Sequence, residues 1–144
     1  MSIRLEHVNF TYMQGTPYEK QALKDVSLSI NKGEFVAVIG HTGSGKSTLV
    51  QHLNGLLKPS TGKVFIEDVD LAGKDARVKA CKQTVGMVFQ YPEHQIFAET
   101  VFEDIAFGPR NKGMSENEVV RQVHEAMNFV GLDYDIYAKR SPFQ

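Results

Sequence analysis

The sequence predicts an α/β fold, in which a buried strand leads through a glycine-rich turn directly into a helix. Residues 35–39 are five consecutive apolar residues without polar alternation. Such a run is typical of a strand buried on both faces, as in a parallel sheet. Gly40 ends the run, and Gly43 and Gly45 follow it closely. Residues 46–53 carry leucines and a valine at the spacing of one helix face.

The turn itself, GHTGSGKS at residues 40–47, fits the phosphate-binding P-loop pattern G-x-x-x-x-G-K-[ST]. Its glycines let the backbone curl so that successive N–H groups point at phosphate oxygens, and the helix N-terminus adds partial positive charge. Lys46 would supply a mobile cation to the β- and γ-phosphates, and Ser47 a hydroxyl to Mg²⁺. A Gly/Ser loop can match by accident, but the strand before it and the helix after it favour nucleotide binding. The predicted nucleotide-binding residues of this stretch are Gly40, His41, Thr42, Gly43, Ser44, Gly45, Lys46, Ser47 and Thr48.

Composition describes an ordinary globular protein of 144 residues. The formal charge of −1, from 16 Lys+Arg against 17 Asp+Glu, gives no basic footprint for nucleic acid. Cys81 is the only cysteine, so an internal disulfide is excluded and a reducing compartment is favoured. The first ten residues lack the apolar region of a secretory signal, and no apolar run approaches the roughly 18 residues of a membrane helix. Any membrane role would therefore act through a partner.

Two strands are predicted ahead of the P-loop. Residues 3–12 are rich in β-branched and aromatic side chains, and residues 22–30 alternate apolar residues with serines. Between them, residues 13–21 form a loop, and residues 31–34 form a turn. We therefore expect antiparallel strands beside the start of a parallel core.

After the P-loop the sequence predicts several short strands and helices. The first helix should end at residues 54–55, where glycine can adopt the left-handed cap conformation. Residues 63–67 predict a strand, residues 68–73 a polar connection, and residues 75–82 a short helix. Residues 84–89 predict a second buried strand, because they are largely apolar.

Gln90 closes that strand, since the proline of residues 91–92 lacks the N–H that a central strand needs. Two capped helices follow. Thr100 and Glu103 form a capping box, and this helix should stop at residues 108–109, Gly-Pro. A second box at residues 115–118 starts another helix that ends near Gly131. The apolar stripe of the second helix, interpreted as a packing face, is Val119, Val120, Val123, Met127 and Val130.

In this order the motifs resemble the ATP-binding subunit of an ABC transporter over the whole chain. More narrowly, QYPEHQIF at residues 90–97, with residues 100–101 and DIAFGP at residues 104–109, resembles the ATPase of energy-coupling-factor transporters. These are bacterial importers of vitamins and of cobalt or nickel. The resemblance implies an ABC-type P-loop ATPase core with an antiparallel β-subdomain over residues 1–90. Residues 91–144 would then hold the start of a helical subdomain.

The resemblance also assigns roles to single residues. Tyr12 matches the aromatic residue that stacks on adenine, although a tyrosine in a strand is commonly only a strand residue. Gln90 matches the Q-loop glutamine, which faces Mg²⁺ and the γ-phosphate. Lys46 and Gln90 are thus the predicted catalytic residues, and Ser47 and Gln90 the predicted metal-site residues, with ATP and Mg²⁺ as cofactors. Three apolar side chains could either dock a membrane partner or close a small core: Ile96, Phe97 and Phe102.

The implied partners are a second ATPase subunit, in a homo- or heterodimer, an integral membrane coupling subunit and a substrate-binding membrane subunit. Such a subunit is peripheral, on the cytoplasmic face of the bacterial cell membrane. Other subunits select the solute, so this chain distinguishes neither cobalt nor nickel nor a vitamin.

Three family motifs are not found in the sequence. There is no L-S-G-G-Q signature, none of the five histidines stands at the place of the switch histidine, and no apolar run ends in the Asp-Glu of a Walker B motif. We therefore expect the N-terminal part of an ATPase, which binds Mg-ATP weakly, does not hydrolyse it and exposes apolar surface. The alternatives are a nucleotide-binding module without turnover, used as it stands, and another P-loop enzyme such as a kinase.

Overall fold

The computed structural model of the chain describes residues 2–74 and 76–143. They form two compact units, Met1–Met87 and Val88–Gln144.

The first unit is built on a four-stranded antiparallel sheet with the strand order β2-β1-β3-β4. The strands are β1 (Ile3–Tyr12), β2 (Lys20–Ile30), β3 (Thr61–Ile66) and β4 (Val69–Asp70). The three longer strands confirm the predicted ones to within two residues at each end. The short β4 was predicted only as a polar connection, and its Val69 is in fact buried.

Two helices pack on this sheet and close its core. Helix α1 (Lys46–Leu53) ends, as predicted, beside Gly55 in the left-handed conformation. Helix α2 (Arg77–Gln83) confirms the predicted short helix, except that Asp75 lies outside the described residues. The buried side chains of this core come mostly from the sheet: Leu5, Val8, Leu23, Val64, Ile66 and Leu71. Cys81 packs partly buried against them, as an ordinary core cysteine.

The two apolar runs predicted as buried strands do not form strands, so both predictions are wrong for this chain. At residues 35–39, Phe35 is 99% exposed and Ile39 is 93% exposed. At residues 84–89, Val88 is 81% exposed. A strand needs a neighbour for its backbone N–H and C=O groups, and β1 to β4 pair only with one another in the described residues. The expectation of exposed apolar surface agrees with these values.

The second unit is helical. After a 3₁₀ turn at Pro92–Gln95 come α3 (Val101–Asn111), α4 (Glu116–Phe129) and α5 (Tyr134–Tyr137). Its small core consists of Ala106 of α3, Val119, Val123 and Met127 of α4, and Ala138 directly after α5, with Tyr134 of α5 packed against it.

Helix α3 begins as predicted but does not stop at residues 108–109. Thr100 accepts a hydrogen bond from the Glu103 N–H at 3.2 Å, and the helix runs through Pro109 to Asn111. Proline there removes only one hydrogen bond, in the last turn. Arg110 compensates, because its guanidinium donates to Glu103 at 2.5 Å and to Glu116 at 2.9 Å. The helix instead ends before Gly113, which has φ +76°.

Helix α4 has the predicted capping box, in which the Ser115 N–H donates to the Glu118 carboxylate at 2.9 Å. Its packing face is narrower than predicted. Val119, Val123 and Met127 are fully buried, but Val120 and Val130 are exposed. Residues four apart lie on one face of a helix, and a neighbour one position on is turned about 100° away.

Of the three apolar residues with two alternative roles, Phe102 packs against the core of this unit and Ile96 is partly buried. Phe97 stays exposed and contacts Phe107 edge-on, with 4.9 Å between the ring centroids.

Candidate nucleotide-binding site

The P-loop is held against β2 by a contact that only glycine permits. Gly43 and Gly45 have φ of +81° and +91°, in the left-handed region that favours glycine. A Cβ on Gly45 would lie 2.5 Å from the carbonyl oxygen of Ala22. The loop backbone therefore lies directly on the strand, and the start of α1 is fixed relative to the sheet.

Lys46 ties the two ends of the loop together. Its ammonium donates to the carbonyl oxygens of Gly40 and His41, at 2.7 and 2.8 Å, and lies 3.5 Å from the Ser44 hydroxyl. A Cβ on Gly40 would lie only 2.6 Å from that hydroxyl oxygen. Lys46 is thus already inside the loop, at the centre of the predicted phosphate site.

The remaining loop residues form a tight turn on the surface. The Ser44 N–H donates to the His41 carbonyl at 3.2 Å, and the imidazole Nδ1 of His41 lies 2.9 Å from the Thr42 carbonyl oxygen. Ser47 is exposed at the first turn of α1. The first N–H groups of a helix have no partner within it, so this end can donate to an anion.

Tyr12 joins this site through Thr48. The phenol oxygen of Tyr12 lies 3.1 Å from the Thr48 hydroxyl, across 36 residues of sequence. The ring of Phe10 packs edge-on against Tyr12 and against the buried His52, with centroids 4.8 Å apart in both pairs. His52 lies on α1, and its Nδ1 is 2.7 Å from the Thr48 carbonyl oxygen. The Tyr12 ring is therefore supported from behind while 39% of the residue stays exposed.

These side chains surround one cavity of about 230 Å³. It brings Tyr12 together with the loop and the start of α1, and it adds two residues that the sequence did not single out. The lining residues are Tyr12, Lys20, Ala22, Gly43, Gly45, Lys46, Ser47 and Thr48. The lining combines an aromatic ring, the N-terminus of a helix and two lysines. This donor set fits the base and the phosphates of a nucleotide.

Gln90 belongs to the second unit. It is exposed and lines a cavity of about 400 Å³ together with Phe89, Tyr91, His94 and Gln95. Tyr91 and His94 stack there at 5.5 Å between centroids. Its predicted role at the metal and at the γ-phosphate stays a prediction.

Residues 2–74 and 76–143 contain no group of three or more His, Cys, Asp or Glu side chains placed to hold a metal ion. None of their helices combines the length and the apolar character needed to cross a membrane.

Comparison with known proteins gives matches along the whole chain. The energy-coupling factor transporter ATP-binding protein EcfA2 of Clostridium tetani is 54% identical over all 144 residues, which cover 50% of that protein. EcfA2 of Caldanaerobacter subterraneus is 56% identical over the same length, again 50% of the relative. The chain thus spans about half the length of the curated relatives that it matches.

Solved structures agree with the fold. The ATP-binding cassette MJ0796, a dimer bound to ADP and phosphate, matches with a TM-score of 0.79 at 30% identity, over 99% of this chain and 62% of that one. CbiO1 from Clostridium perfringens, part of the ABC transporter complex CbiONQ, matches with a TM-score of 0.75 at 33% identity, over 95% and 53%. The antiparallel sheet and the helices therefore correspond to the N-terminal part of the ABC ATPase fold. The family model for the ABC transporter matches residues 23–142, so the chain belongs to the ABC transporter family.

Proposed function

We propose that this chain serves in an ATP-binding subunit that hydrolyses ATP to energise uptake of a small solute through an energy-coupling-factor transporter. The observation that carries the proposal is the cavity that joins Tyr12 to the P-loop through Thr48. The relatives named as energy-coupling factor ATP-binding proteins support the transporter type.

In this proposal the adenine stacks on the supported ring of Tyr12. The loop N–H groups and the start of α1 bind the phosphates, and Lys46 exchanges its bonds to Gly40 and His41 for phosphate oxygens. Gly40, His41, Thr42, Gly43, Ser44 and Gly45 supply the loop backbone, and Thr48 positions the ring. Ser47 would hold Mg²⁺ together with phosphate oxygens, which suits an ion that keeps few protein ligands. Gln90 keeps its proposed role at the metal and the γ-phosphate.

The further partners are also proposals. They are a second ATPase subunit, a membrane coupling subunit and a membrane subunit that selects cobalt, nickel or a vitamin. The dimeric cassette among the solved structures supports the second ATPase subunit. The subunit would then be peripheral, on the cytoplasmic face of the cell membrane.

The 144-residue chain by itself should bind Mg-ATP weakly and should not hydrolyse it. Residues 35–39 lead into the P-loop, and they are exposed and unpaired with any described strand. The N-terminal end of the loop therefore lacks the support that Gly45 has on β2, and a less preorganised site binds its ligand more weakly. The same exposed segment supports the second candidate function, a nucleotide-binding module without ATP turnover.

The test begins with the intact mass of the protein produced from its native gene. A mass near 16.1 kDa favours the binding module, and a mass near twice that favours a complete ATPase.

Calorimetric titration with Mg-ATP and a phosphate-release assay then follow on that protein. Lys46→Ala should weaken ATP binding by about tenfold or more, because a charge-assisted contact is lost. Lys32→Ala, in the turn after β2, is the matched control and should change neither quantity. ATP binding that is unaffected by Lys46→Ala would reject the proposal.

A further inference from the structure

Lys20 lines the same cavity as Tyr12, although no motif includes it. It is the first residue of β2, and it stands directly opposite Tyr12 in the antiparallel ladder. Residues directly opposite each other in such a pair carry their side chains on the same face of the sheet. Lys20 is thus held beside the aromatic ring by backbone pairing.

The ammonium of Lys20 is free. Among residues 2–74 and 76–143, no hydrogen bond or ion pair engages its side chain, whereas Lys46 and Lys82 both donate to backbone carbonyls. Glu19 next to it accepts from the Gly15 N–H at 2.8 Å instead. A cation at the mouth of a cavity, without an anion of its own, is available to a ligand.

The position along β2 indicates which part of a ligand this cation would meet. Ala22 lies against Gly45 of the P-loop, and Lys20 is two residues away, about 7 Å at roughly 3.3 Å per residue. The flexible four-carbon stem of lysine can cover much of that distance. The ammonium can therefore reach between the ring of Tyr12 and the loop, where a nucleotide carries its first phosphate.

We propose that Lys20 binds the α-phosphate of the nucleotide, from its place on β2 beside Tyr12. The inference rests on the proposed function, because it takes Tyr12 as the site of the base and the loop as the site of the terminal phosphates. Lys46 then contacts the β- and γ-phosphates, whereas Lys20 contacts the α-phosphate, which ATP and ADP share. Lys20 thus adds affinity for both nucleotides and selects nucleotides over nucleosides.

The experiment measures Kd by calorimetry for Mg-ATP, ADP and adenosine, on the protein produced from its native gene. Lys20→Gln should weaken ATP and ADP by the same factor, about threefold to tenfold for a partly exposed charge contact. Adenosine binding should not change. Lys20→Arg should retain most of the affinity, and the Lys20→Gln effect should shrink as salt is raised. Lys24→Gln is the matched control, since Lys24 is exposed on the same strand outside the cavity.

Three outcomes would overturn the assignment. They are unchanged affinities in Lys20→Gln, an equal loss in Lys24→Gln, and a loss for ATP alone, which would move Lys20 to the terminal phosphates. A thermal unfolding curve on Lys20→Gln checks that the variant folds. Failure of the proposed function looks different, because the wild-type protein would then bind no nucleotide or would be insensitive to Lys46→Ala.

Discussion

Gly45 is the position with the strictest steric requirement in the candidate site. Gly45→Ala would combine a strained φ of +91° with a Cβ 2.5 Å from the Ala22 carbonyl oxygen. We expect it to lower the free energy of unfolding by about 2–4 kcal/mol, the sum of left-handed strain and overpacking. Nucleotide affinity should fall as well, because the loop is pushed off the strand. Urea unfolding followed by fluorescence of a bound probe and by circular dichroism measures the first effect, and calorimetry the second.

Gly33→Ala provides the comparison for Gly45→Ala. Gly33 has a similar φ of +85°, but nothing lies within 4 Å of the added Cβ. Gly33→Ala should lower the free energy of unfolding by about 1 kcal/mol, from backbone strain alone. Equal losses in the two variants would mean that the contact with Ala22 contributes nothing.

Tyr12 offers a second test at the scale of one residue, since its ring and its hydroxyl have separate roles. Tyr12→Ala should weaken ATP binding by about 1–3 kcal/mol, the range found for base–aromatic stacking. Tyr12→Phe keeps the ring and loses only the hydrogen bond to Thr48. It should therefore weaken the free energy of ATP binding by about 0.5–1.5 kcal/mol. The measurement is the Kd for ATP and for inorganic triphosphate, which carries no base. Tyr12→Ala should leave triphosphate binding unchanged, and a loss there would show that Tyr12 acts through the loop.

At the scale of elements, helix α4 carries two carboxylates whose pKa values are lowered by hydrogen bonds. Hydrogen bonds from the Ser115 hydroxyl and N–H lower the pKa of Glu118 below its ordinary value of 4.5. Hydrogen bonds from Arg110 lower the pKa of Glu116 in the same way. The folded carboxyl groups bind protons less readily than the unfolded ones. Their stabilisation is therefore present above the ordinary value of 4.5 and is lost as pH falls through the lower folded pKa values.

We expect the melting temperature of the helical unit to fall steadily as pH drops below about 4.5, the usual range for paired carboxylates. Glu118→Gln should lower this temperature at pH 7 and flatten its decrease at acid pH. Glu99→Gln, an exposed carboxylate before α3, serves as the control and should leave the profile as it is. Thermal unfolding followed by circular dichroism from pH 3 to 7 gives the profiles. Parallel profiles for wild type and Glu118→Gln would exclude a role for the capping box.

Elements that depend on neighbouring residues were predictable from sequence, and elements that depend on a distant partner were not. The caps of α3 and α4 and the alternation of β2 are local patterns, and the structure contains them. The run at residues 35–39 encodes only a preference for burial, and that preference does not supply a neighbouring strand. The end of α3 differs from the prediction for a similar reason. Arg110 is anchored by Glu116 from the next helix, which outweighs the local Gly-Pro signal.

The same distinction holds for the candidate site. The P-loop residues follow from spacing within eight positions, and the structure gives that loop a single compact turn around Lys46. Lys20 enters the site only because β1 and β2 pair in one register, which places it opposite Tyr12. That register contains several irregularities between Leu5 and Thr11, so alternation alone could not have fixed it.

For the molecule as a whole, the exposed apolar segments predict association. Phe35 and Ile39 are nearly fully exposed, and exposed apolar surfaces of this kind tend to associate with other apolar surfaces. The 144-residue chain should bind the dye ANS and should associate with itself as its concentration rises. Sedimentation velocity over a concentration series and ANS fluorescence measure the two effects.

The double variant Phe35→Ser/Ile39→Ser should reduce both dye binding and association without lowering the unfolding temperature, because neither side chain is buried. Val120→Ser, at a single exposed valine of α4, should have little effect on either. A monodisperse monomer with one cooperative thermal transition would contradict the prediction.

The contact between Ala22 and Gly45 also has a consequence for the timing of assembly. A ribosome adds about 5–20 residues per second, so the N-terminal strands emerge about one to three seconds before the loop is complete. β1 and β2 are neighbours in the chain, and such local pairings form fast. The wall on which Gly45 rests can therefore be present when the P-loop leaves the ribosome, and β3 arrives soon after to complete that sheet. The phosphate-binding loop would then fold against a strand that is already paired. Slowing translation between residues 30 and 45 should therefore not impair folding of the loop.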